Sequence, residues 1–391
     1  MKRFSGQYIF TNSGPALKRA VITTEEDGTI TGIEDTGGDL TEKHSVEFHN
    51  GIIIPGFVNC HCHLELSHLK GAIDRSGGLG DFVAVIRNTR ANNSERIVGC
   101  AESADAEMFK EGIVLCADLC NTPLTFEIKK RSPIRYINLL EVFGTDHRNA
   151  VNRIADIKKT ADTASEMNLP YSFVPHALYS MSLSLLRLLK EHSRRNKITS
   201  IHFMETEAEE SFLRDQSGSL AISFQKSGLL TAETERVKSH SEGVLNEITL
   251  SGNLILVHNT FVDSETIRKI KVRKNLYWCL CPNSNIYIEN KIPPLNLLIE
   301  EKCEIVIGTD SLASNSSLSI LEELKTLQKH FPEVLIEDLV RWATLNGSKA
   351  LGEDNKFGKI EIGQKPGLLL LQNVDLVNMK LLPDSFVTRL I

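Results

Sequence analysis

Short apolar runs alternate with longer amphipathic segments along most of the chain. Eight runs have the length of buried strands: Ile52–Asn59, Ile113–Asp118, Ile134–Val142, Tyr171–Pro175, Thr199–Phe203, Leu254–Val257, Leu276–Leu280 and Ile305–Ile307. Helix-length amphipathic segments lie between most of them: Glu95–Lys110, Asn149–Met167, Ser182–Arg194, Glu265–Val272 and Leu318–His330. This alternation predicts an α/β fold, a (β/α)8 TIM barrel over residues 51–355. A doubly wound sheet is less favoured, because no Gly-x-Gly-x-x-Gly follows the first run.

Both ends of the chain have a different pattern, with short β-type runs and glycine-rich turns. Gln7–Thr11 and Ala20–Thr24 are such runs, and Asp27-Gly28 followed by Thr29-Ile30-Thr31 is typical of a β-hairpin. Gly358–Leu371 has the same character. Since neither end alone can bury a core, we expect residues 1–50 and 356–391 to form one small composite β-sandwich subdomain.

Composition narrows the class of protein. Of 391 residues, 41% are hydrophobic, which excludes a disordered chain, and 44 Lys+Arg against 50 Asp+Glu give a net charge of −6. An acidic balance argues against nucleic-acid binding, and no apolar run approaches the roughly 18 residues of a membrane helix. Met1 to Ala20 lacks the apolar core of a signal peptide, and the eight cysteines are too sparse for a disulfide scaffold. We expect a cytoplasmic protein with a small-molecule partner and no membrane or nucleic-acid partner; a homodimer stays open.

Polar residues capable of catalysis or metal binding fall at or just past the carboxyl ends of the predicted strands. Barrel enzymes carry their active sites on that face. These residues are His61, His63, His176, His202, His258 and Asp310.

His61 and His63 form the sharpest motif. Alternate side chains of a strand share a face, so both imidazoles can point into the barrel while Cys60 and Cys62 point outward. Two histidines on a rigid strand make half of a metal site. A rival interpretation is a structural zinc site built from Cys60, Cys62, Cys279 and Cys281, but such sites prefer Cys-x-x-Cys loops.

Two carboxylates follow other strands. His202 and Glu205 form His-x-x-Glu, typical of a metal ligand followed by a proton-transferring acid, and Asp310 ends an apolar strand. The alternative interpretation is that Glu205 belongs to a charge cluster at the start of a helix, since three more acidic residues follow it. We expect these three, Glu207, Glu209 and Glu210, to be solvated. The remaining histidines of interest are expected at the surface: His44, His49, His147, His192, His240 and His330.

Together these motifs resemble the amidohydrolase superfamily, in its deaminase and chlorohydrolase branch. The resemblance rests on Pro55-Gly-Phe-Val-Asn-Cys-His-Cys-His-Leu-Glu-Leu-Ser67, Pro175-His-Ala-Leu-Tyr-Ser180, His202-Phe-Met-Glu205, Val257-His258-Asn259, Cys281-Pro-Asn-Ser-Asn285 and Gly308-Thr-Asp-Ser-Leu-Ala-Ser-Asn315. It implies one divalent metal ion, Zn²⁺ or else Fe²⁺, held by His61, His63, His202 and Asp310. Binuclear members carry a carboxylated lysine where this chain has Val174-Pro175-His176, which favours one metal.

The resemblance also implies roles for other residues. Glu205, His258 and Asp310 would be catalytic, with Asp310 taking a proton from the attacking water and Glu205 protonating a ring nitrogen. Glu65 and His176 would face the substrate. The loop Gly71 to Gly80 is as compatible with a lid as with a plain surface loop.

Within that branch the motifs are most similar to aminodeoxyfutalosine deaminases and adenosine-type nucleoside deaminases. The implied activity is deamination of an adenine nucleoside with a bulky 5′ group. Guanine or triazine deamination, dechlorination and cyclic amide hydrolysis are alternatives, and a non-catalytic scaffold is the competing class.

Overall fold

A computed structural model describes residues 1–41, 45–75, 78–79, 85–86, 93–226, 228–230, 237–248 and 252–391 of the chain. Its strands are β1 (Lys2–Ile9), β2 (Leu17–Lys18), β3 (Val21–Thr24), β4 (Ile30–Glu34), β5 (Val46–Pro55), β6 (Phe57–Cys62), β7 (Ile113–Cys120), β8 (Arg135–Val142), β9 (Tyr171–Pro175), β10 (Ile198–Phe203), β11 (Asn253–His258), β12 (Leu276–Leu280), β13 (Glu304–Ile307), β14 (Leu368–Asp375) and β15 (Lys380–Arg389).

The α-helices follow the strands in the expected alternation. They are α1 (Ser94–Lys110), α2 (Phe126–Arg131), α3 (Ala150–Glu166), α4 (Leu183–His192), α5 (Ala208–Asp215), α6 (Gly218–Lys226), α7 (His240–Glu242), α8 (Ser264–Ile270), α9 (Pro282–Glu289), α10 (Leu295–Glu300), α11 (Ile320–His330), α12 (Ile336–Arg341) and α13 (Gly347–Ala350). Short 3₁₀ turns cover Leu64–Leu69, His147–Asn149, Leu178–Ser180 and Ser193–Arg195, and π-helical segments cover Gly243–Glu247 and Trp342–Asn346. Among the described residues, no helix is both long and apolar enough to cross a bilayer.

Eight parallel strands form the barrel in two halves, β6-β7-β8-β9 and β10-β11-β12-β13. Single bridges join the halves, between Cys62 and Asp310 at one seam and between Ala177 and His202 at the other. At the first seam the amides of Thr309 and Asp310 donate to the His61 carbonyl, at 3.0 and 3.1 Å. The predicted barrel is confirmed, and its two seams lie at predicted site residues.

One hydrophobic cluster draws residues from every barrel strand and therefore marks the barrel interior; it includes Val58, Cys60, Leu115, Ala117, Ile137, Leu139, Val174, Ile198, Ile255, Val257, Cys279 and Val306. Cys62 instead packs in the larger cluster shared with the helices. The expectation that Cys60 and Cys62 both point outward is therefore wrong. The pairing of β6 with β7 shifts register between Asn59 and Cys62, which breaks the regular alternation on which the expectation rested.

Strands from both chain ends join in one mixed sheet, in the order β15-β14-β5-β1-β3-β4, with β2 paired to β1. β14 pairs antiparallel with β5, which ties the carboxyl end of the chain to the amino end. The predicted hairpin is present, since β3 and β4 pair antiparallel around Asp27-Gly28. The predicted subdomain built from both chain ends is thus present, and backbone hydrogen bonds connect its seven strands into one mixed sheet.

The apolar run Ile52–Asn59 is divided between two sheets, because β5 ends at Pro55 and β6 begins at Phe57. Only glycine fits at Gly56 between them, since a Cβ there would collide with the Val114 side chain and lie 2.8 Å from the Pro366 carbonyl oxygen. The terminal sheet thus continues past residue 50. The division into residues 1–50 plus 356–391 and residues 51–355 stays a prediction.

Candidate active site and metal centre

Three histidines and one aspartate converge where the two barrel halves meet. His61 lies near the end of β6, His63 directly follows that strand, His202 lies in β10, and Asp310 follows β13. Asp310 Oδ1 lies 3.6 Å from His61 Nε2 and 3.6 Å from His63 Nε2. The Nε2 atoms of His63 and His202 are 3.3 Å apart. The structure therefore brings together the four residues predicted as metal ligands.

Backbone contacts fix the orientation of the His202 ring. Its Nδ1 lies 2.9 Å from the His176 carbonyl oxygen, which can only accept, so Nδ1 carries the proton. The lone pair is then on Nε2, which faces His63. A metal-binding histidine commonly has its second nitrogen held in this way.

The neighbouring imidazoles are held in their neutral form. Burial lowers the pKa of His61, His202 and His258, and burial together with the charge of His61 lowers the pKa of His63 to about 3. Neutral imidazoles and an ionised carboxylate are the forms that bind a metal. Within the described residues, neither ring nitrogen of the fully buried His61 has a hydrogen-bond partner.

These observations fit a divalent metal ion. Buried nitrogen atoms without partners are costly unless something coordinates them. Three imidazoles with one carboxylate form a donor set that suits zinc and related divalent ions. His61, His202 and His258 make a second close group of the same kind, and His63, Glu141 and His202 a third.

Asp310 is locked in place by its own loop and by α9. Its Oδ2 accepts hydrogen bonds from the hydroxyls of Ser284 (2.6 Å) and Ser314 (2.5 Å). Although burial opposes ionisation, contacts with His61, His63 and His258 hold the pKa of Asp310 well below its usual value. The Oδ1 atom is thus an ionised acceptor that faces the histidines.

Glu205 and His258 flank the same cluster. Glu205 Oε1 lies 3.7 Å from His258 Nε2. The Asn285 side-chain amide donates to His258 Nδ1 at 3.1 Å, which leaves the imidazole proton on Nε2. Burial, then the charges of Asp310 and Glu209, raise the pKa of Glu205 well above its usual value. Two carboxyl groups with oppositely shifted pKa values are the arrangement of an acid–base pair.

A cavity of about 390 Å³ opens onto this cluster, and His63, His176, His202, Glu205 and Asp310 all contribute to its lining. His176 stacks on His202 with 4.5 Å between ring centroids, and its Nδ1 lies 2.9 Å from the Ser180 hydroxyl. His176 is therefore placed to meet a ligand in the cavity. Its predicted substrate contact stays a prediction.

Glu65 has a different setting. Its carboxylate accepts hydrogen bonds from the Thr122 amide (3.0 Å), the Thr122 hydroxyl (2.8 Å) and the Asn121 amide (3.3 Å). It is not among the cavity-lining residues in the described parts of the chain. The contact of Glu65 with substrate also stays a prediction. In the loop Gly71 to Gly80, residues 76, 77 and 80 lie outside the described residues, so the role of this loop as a lid is untested. His44, which was expected at the surface, also lies outside the described residues.

Glu141 is a site residue that the sequence did not predict. It lies near the end of β8, lines the cavity, and places Oε1 3.7 Å from His202 Nδ1. An isolated carboxylate within the apolar run Ile134–Val142 was the signal that could have identified it. It places a second carboxyl group beside the histidine cluster.

Two expectations of solvent exposure are wrong. Glu209 is 1% exposed and His240 is 3% exposed, and their side chains contact each other. Among the acidic residues that follow His202, Glu207 and Glu210 are exposed as expected, whereas Glu209 is buried. Hydrogen bonds with the backbone at Glu205 and Thr206 draw Glu209 inward.

The thiolate alternative is not supported in the described chain. No group of cysteines there lies close enough to hold an ion, while the histidine groups do. Burial raises the pKa of the Cys60 thiol well above its usual value, and Cys279 adds to this shift. Gly308 keeps this region compact, since a Cβ there would lie 2.8 Å from His61 Cβ and 2.9 Å from Cys279 Sγ.

The chain is similar to known proteins over most of its length. A model of the amidohydrolase family matches residues 52–387. An adenosine deaminase of Helicobacter pylori is 26% identical over 332 residues, 82% of this chain and 79% of its own length. The structure of Helicobacter pylori aminofutalosine deaminase in complex with methylthio-coformycin has a TM-score of 0.79, 23% identity and 100% coverage of both chains. An adenosine deaminase from Xanthomonas campestris with bound zinc has a TM-score of 0.72 and 20% identity, covering 94% of this chain and 84% of its own.

Proposed function

Because the chain belongs to the amidohydrolase family, we propose that it is a metal-dependent hydrolytic deaminase of an adenine nucleoside that carries a bulky 5′ group, such as aminodeoxyfutalosine. The activity belongs to the hydrolases of C–N bonds other than peptide bonds. One observation carries the proposal: Asp310 and Glu205 lie against one buried histidine cluster and line the same cavity, and their surroundings shift the two carboxyl pKa values in opposite directions.

His61, His63, His202 and Asp310 would hold one divalent ion, and we propose zinc. A bound ion of this kind supplies Lewis acidity, which lowers the pKa of water from about 15.7 toward about 7. The partnerless nitrogen atoms of His61 and the proton on His202 Nδ1 support this assignment. The zinc in the Xanthomonas campestris structure supports the identity of the ion.

Asp310 is the proposed general base. Its Oδ1 accepts the proton that the attacking water loses, while the hydroxyls of Ser284 and Ser314 hold Oδ2 and fix the plane of the carboxylate. The histidines around Asp310 keep its pKa low, so the carboxylate is ready to accept at neutral pH.

Glu205 is the proposed general acid. Its raised pKa keeps a proton on the carboxyl group, which donates that proton to a ring nitrogen of the base as water attacks the amine-bearing carbon. His258 Nε2–H, 3.7 Å from Glu205 Oε1, stabilises the negative charge that develops on the attacking oxygen. The proton held by Asp310 then goes to the departing amine, which leaves as ammonia, and Glu205 regains a proton from the hydroxyl that becomes the carbonyl of the product. Positioned acid–base groups of this kind increase the reaction rate roughly 10²–10⁴-fold.

The extent of the cavity favours a substrate larger than a free base. Beyond the histidine cluster its lining continues along Phe143, Thr145 and Arg153 to Leu229. His176 and Glu65 are the proposed substrate contacts. The ligand in the Helicobacter pylori structure is methylthio-coformycin, a further point in favour of a 5′-substituted nucleoside.

A substrate panel tests the proposal. Metal-loaded protein is assayed for ammonia release from adenine, adenosine, several 5′-substituted adenosines, guanine and an aminotriazine, and for chloride release from a chlorotriazine, with Glu205→Gln protein as the matched control. We expect the highest kcat/KM with a 5′-substituted adenosine. Turnover of free bases or triazines alone would overturn the substrate assignment.

A further inference from the structure

A carboxylate outside the cavity lining holds the backbone that carries Glu205. Glu209 Oε1 accepts hydrogen bonds from the amide of Glu205 at 2.7 Å and from the amide of Thr206 at 3.1 Å. Glu209 belongs to α5, so its side chain reaches back over the turn between β10 and that helix. Hydrogen bonds from backbone amides to a carboxylate are stronger than those to a neutral acceptor.

His240 fixes the other oxygen of the same carboxylate. Its Nε2 lies 3.0 Å from Glu209 Oε2, and its Nδ1 lies 3.3 Å from Glu210 Oε2. Both nitrogens face carboxylates, so the ring carries two protons and one positive charge. The Phe203 ring packs against it edge-on at 5.2 Å, which closes the pair away from solvent.

The turn held by Glu209 has an unfavourable backbone. Met204 has a φ of 49°, in the left-handed region that side chains rarely adopt. The amide of Asn259 donates to the Phe203 carbonyl and the amide of Phe261 donates to the Met204 carbonyl, both at 3.0 Å. The segment that directly follows β11 thus holds one side of the turn, and Glu209 holds the other. A strained turn keeps its shape only when its surroundings fix it.

We propose that Glu209 and His240 form a positioning pair, which holds the Glu205–Thr206 backbone so that the Glu205 carboxyl group faces His258 and the histidine cluster. Neither residue touches substrate. The inference rests on the proposed function for its kinetic consequence, since Glu205 is the general acid there. Displacement of a reacting group by about 1 Å can cost on the order of 100-fold in rate.

Kinetics of three variants test the pair. Glu209→Ala removes both backbone hydrogen bonds and should lower kcat about 10- to 100-fold with KM changed less than about 3-fold. Glu209→Gln keeps an oxygen that can accept both amides and should recover most of kcat. Glu210→Ala is the matched control, because Glu210 also contacts His240 but is half exposed and makes no hydrogen bond with the turn; it should stay within about 2-fold of wild type.

Amide hydrogen exchange at Glu205 and Thr206 provides a readout that needs no substrate. Protection should fall in Glu209→Ala and in His240→Gln but not in Glu210→Ala. If wild-type protein deaminates nothing, the proposed function fails while the exchange data still decide the positioning pair. Unchanged protection in both Glu209→Ala and His240→Gln, or equal loss of kcat in Glu209→Ala and Glu210→Ala, would overturn the pair. If Glu209→Ala does not fold, exchange in His240→Gln decides.

Discussion

The Nε2 atoms of His63 and His202 lie 3.3 Å apart, although 139 positions separate the two residues in the chain. The proton of His202 is on Nδ1, where the His176 carbonyl accepts it, so the His202 lone pair faces the other ring. Either the Nε2–H tautomer of His63 or a bound cation can fill the space between the two nitrogens. Burial lowers the pKa of both rings and so favours the neutral form, which is the form that binds a metal ion.

Replacing the carboxyl group of Asp310 or of Glu205 by an amide should abolish activity in both cases but weaken metal binding in only one. Asp310→Asn and Glu205→Gln should each abolish turnover, by more than about 100-fold, because one removes the base and the other the acid. Only Asp310→Asn should weaken metal retention, since Asp310 Oδ1 faces His61 and His63. Elemental analysis after dialysis measures this difference. Equal metal loss in both variants would contradict the assigned roles.

Cys60→Ala should leave the metal in place. Cys60 packs with aliphatic side chains inside the barrel, and its thiol is held protonated by burial. The metal content of the variant should equal that of wild type, whereas His61→Ala should lose the ion. Loss of zinc from Cys60→Ala would revive a thiolate site.

A buried ion pair supports the end of β6. Lys129 Nζ lies 2.6 Å from Asp118 Oδ2, both side chains are fully buried, and Asp118 Oδ1 accepts the amide of Leu64 at 2.7 Å. Lys129→Met should lower the free energy of unfolding by roughly 3–5 kcal/mol, because it leaves the buried Asp118 charge without its partner. Urea denaturation measures this loss.

The neighbouring Lys130 provides the control for that experiment. It is exposed, and Lys130→Met should change the free energy of unfolding by less than about 0.5 kcal/mol. Similar small effects of both substitutions would mean that the pair contributes nothing to stability.

The His240 charge should make stability depend on pH. Burial alone would lower its pKa, but hydrogen bonds with Glu209 and Glu210 raise it to about 9 from 6.5. A raised native pKa stabilises the fold fully below about pH 6.5, and this contribution is lost as pH rises through about 9. The stability of wild type relative to His240→Gln should thus fall by a few kcal/mol between about pH 6 and about pH 10. A difference independent of pH would show that His240 is uncharged in the native state.

The barrel and its polar strand ends could be predicted from sequence, because each depends on local pattern. Buried strands leave apolar runs, and polar residues at their ends stand out. Glu209 and His240 could not be predicted, since their burial depends on a contact between α5 and α7 that leaves no periodic signal. The predicted orientation of the Cys60 side chain was wrong, because the regular alternation of β6 is broken by a register shift in its pairing with β7. The continuation of the terminal sheet to Pro55 depends on pairing with β14, more than 300 residues away along the chain.

The most direct test combines metal content with ammonia release in one titration. Protein stripped with a chelator is reloaded with zinc, and turnover of a 5′-substituted adenosine is followed against bound metal measured by elemental analysis. Ammonia release should rise in proportion to bound metal and reach its plateau at one ion per chain. One bound ion with no ammonia from any amine substrate would contradict the proposed function.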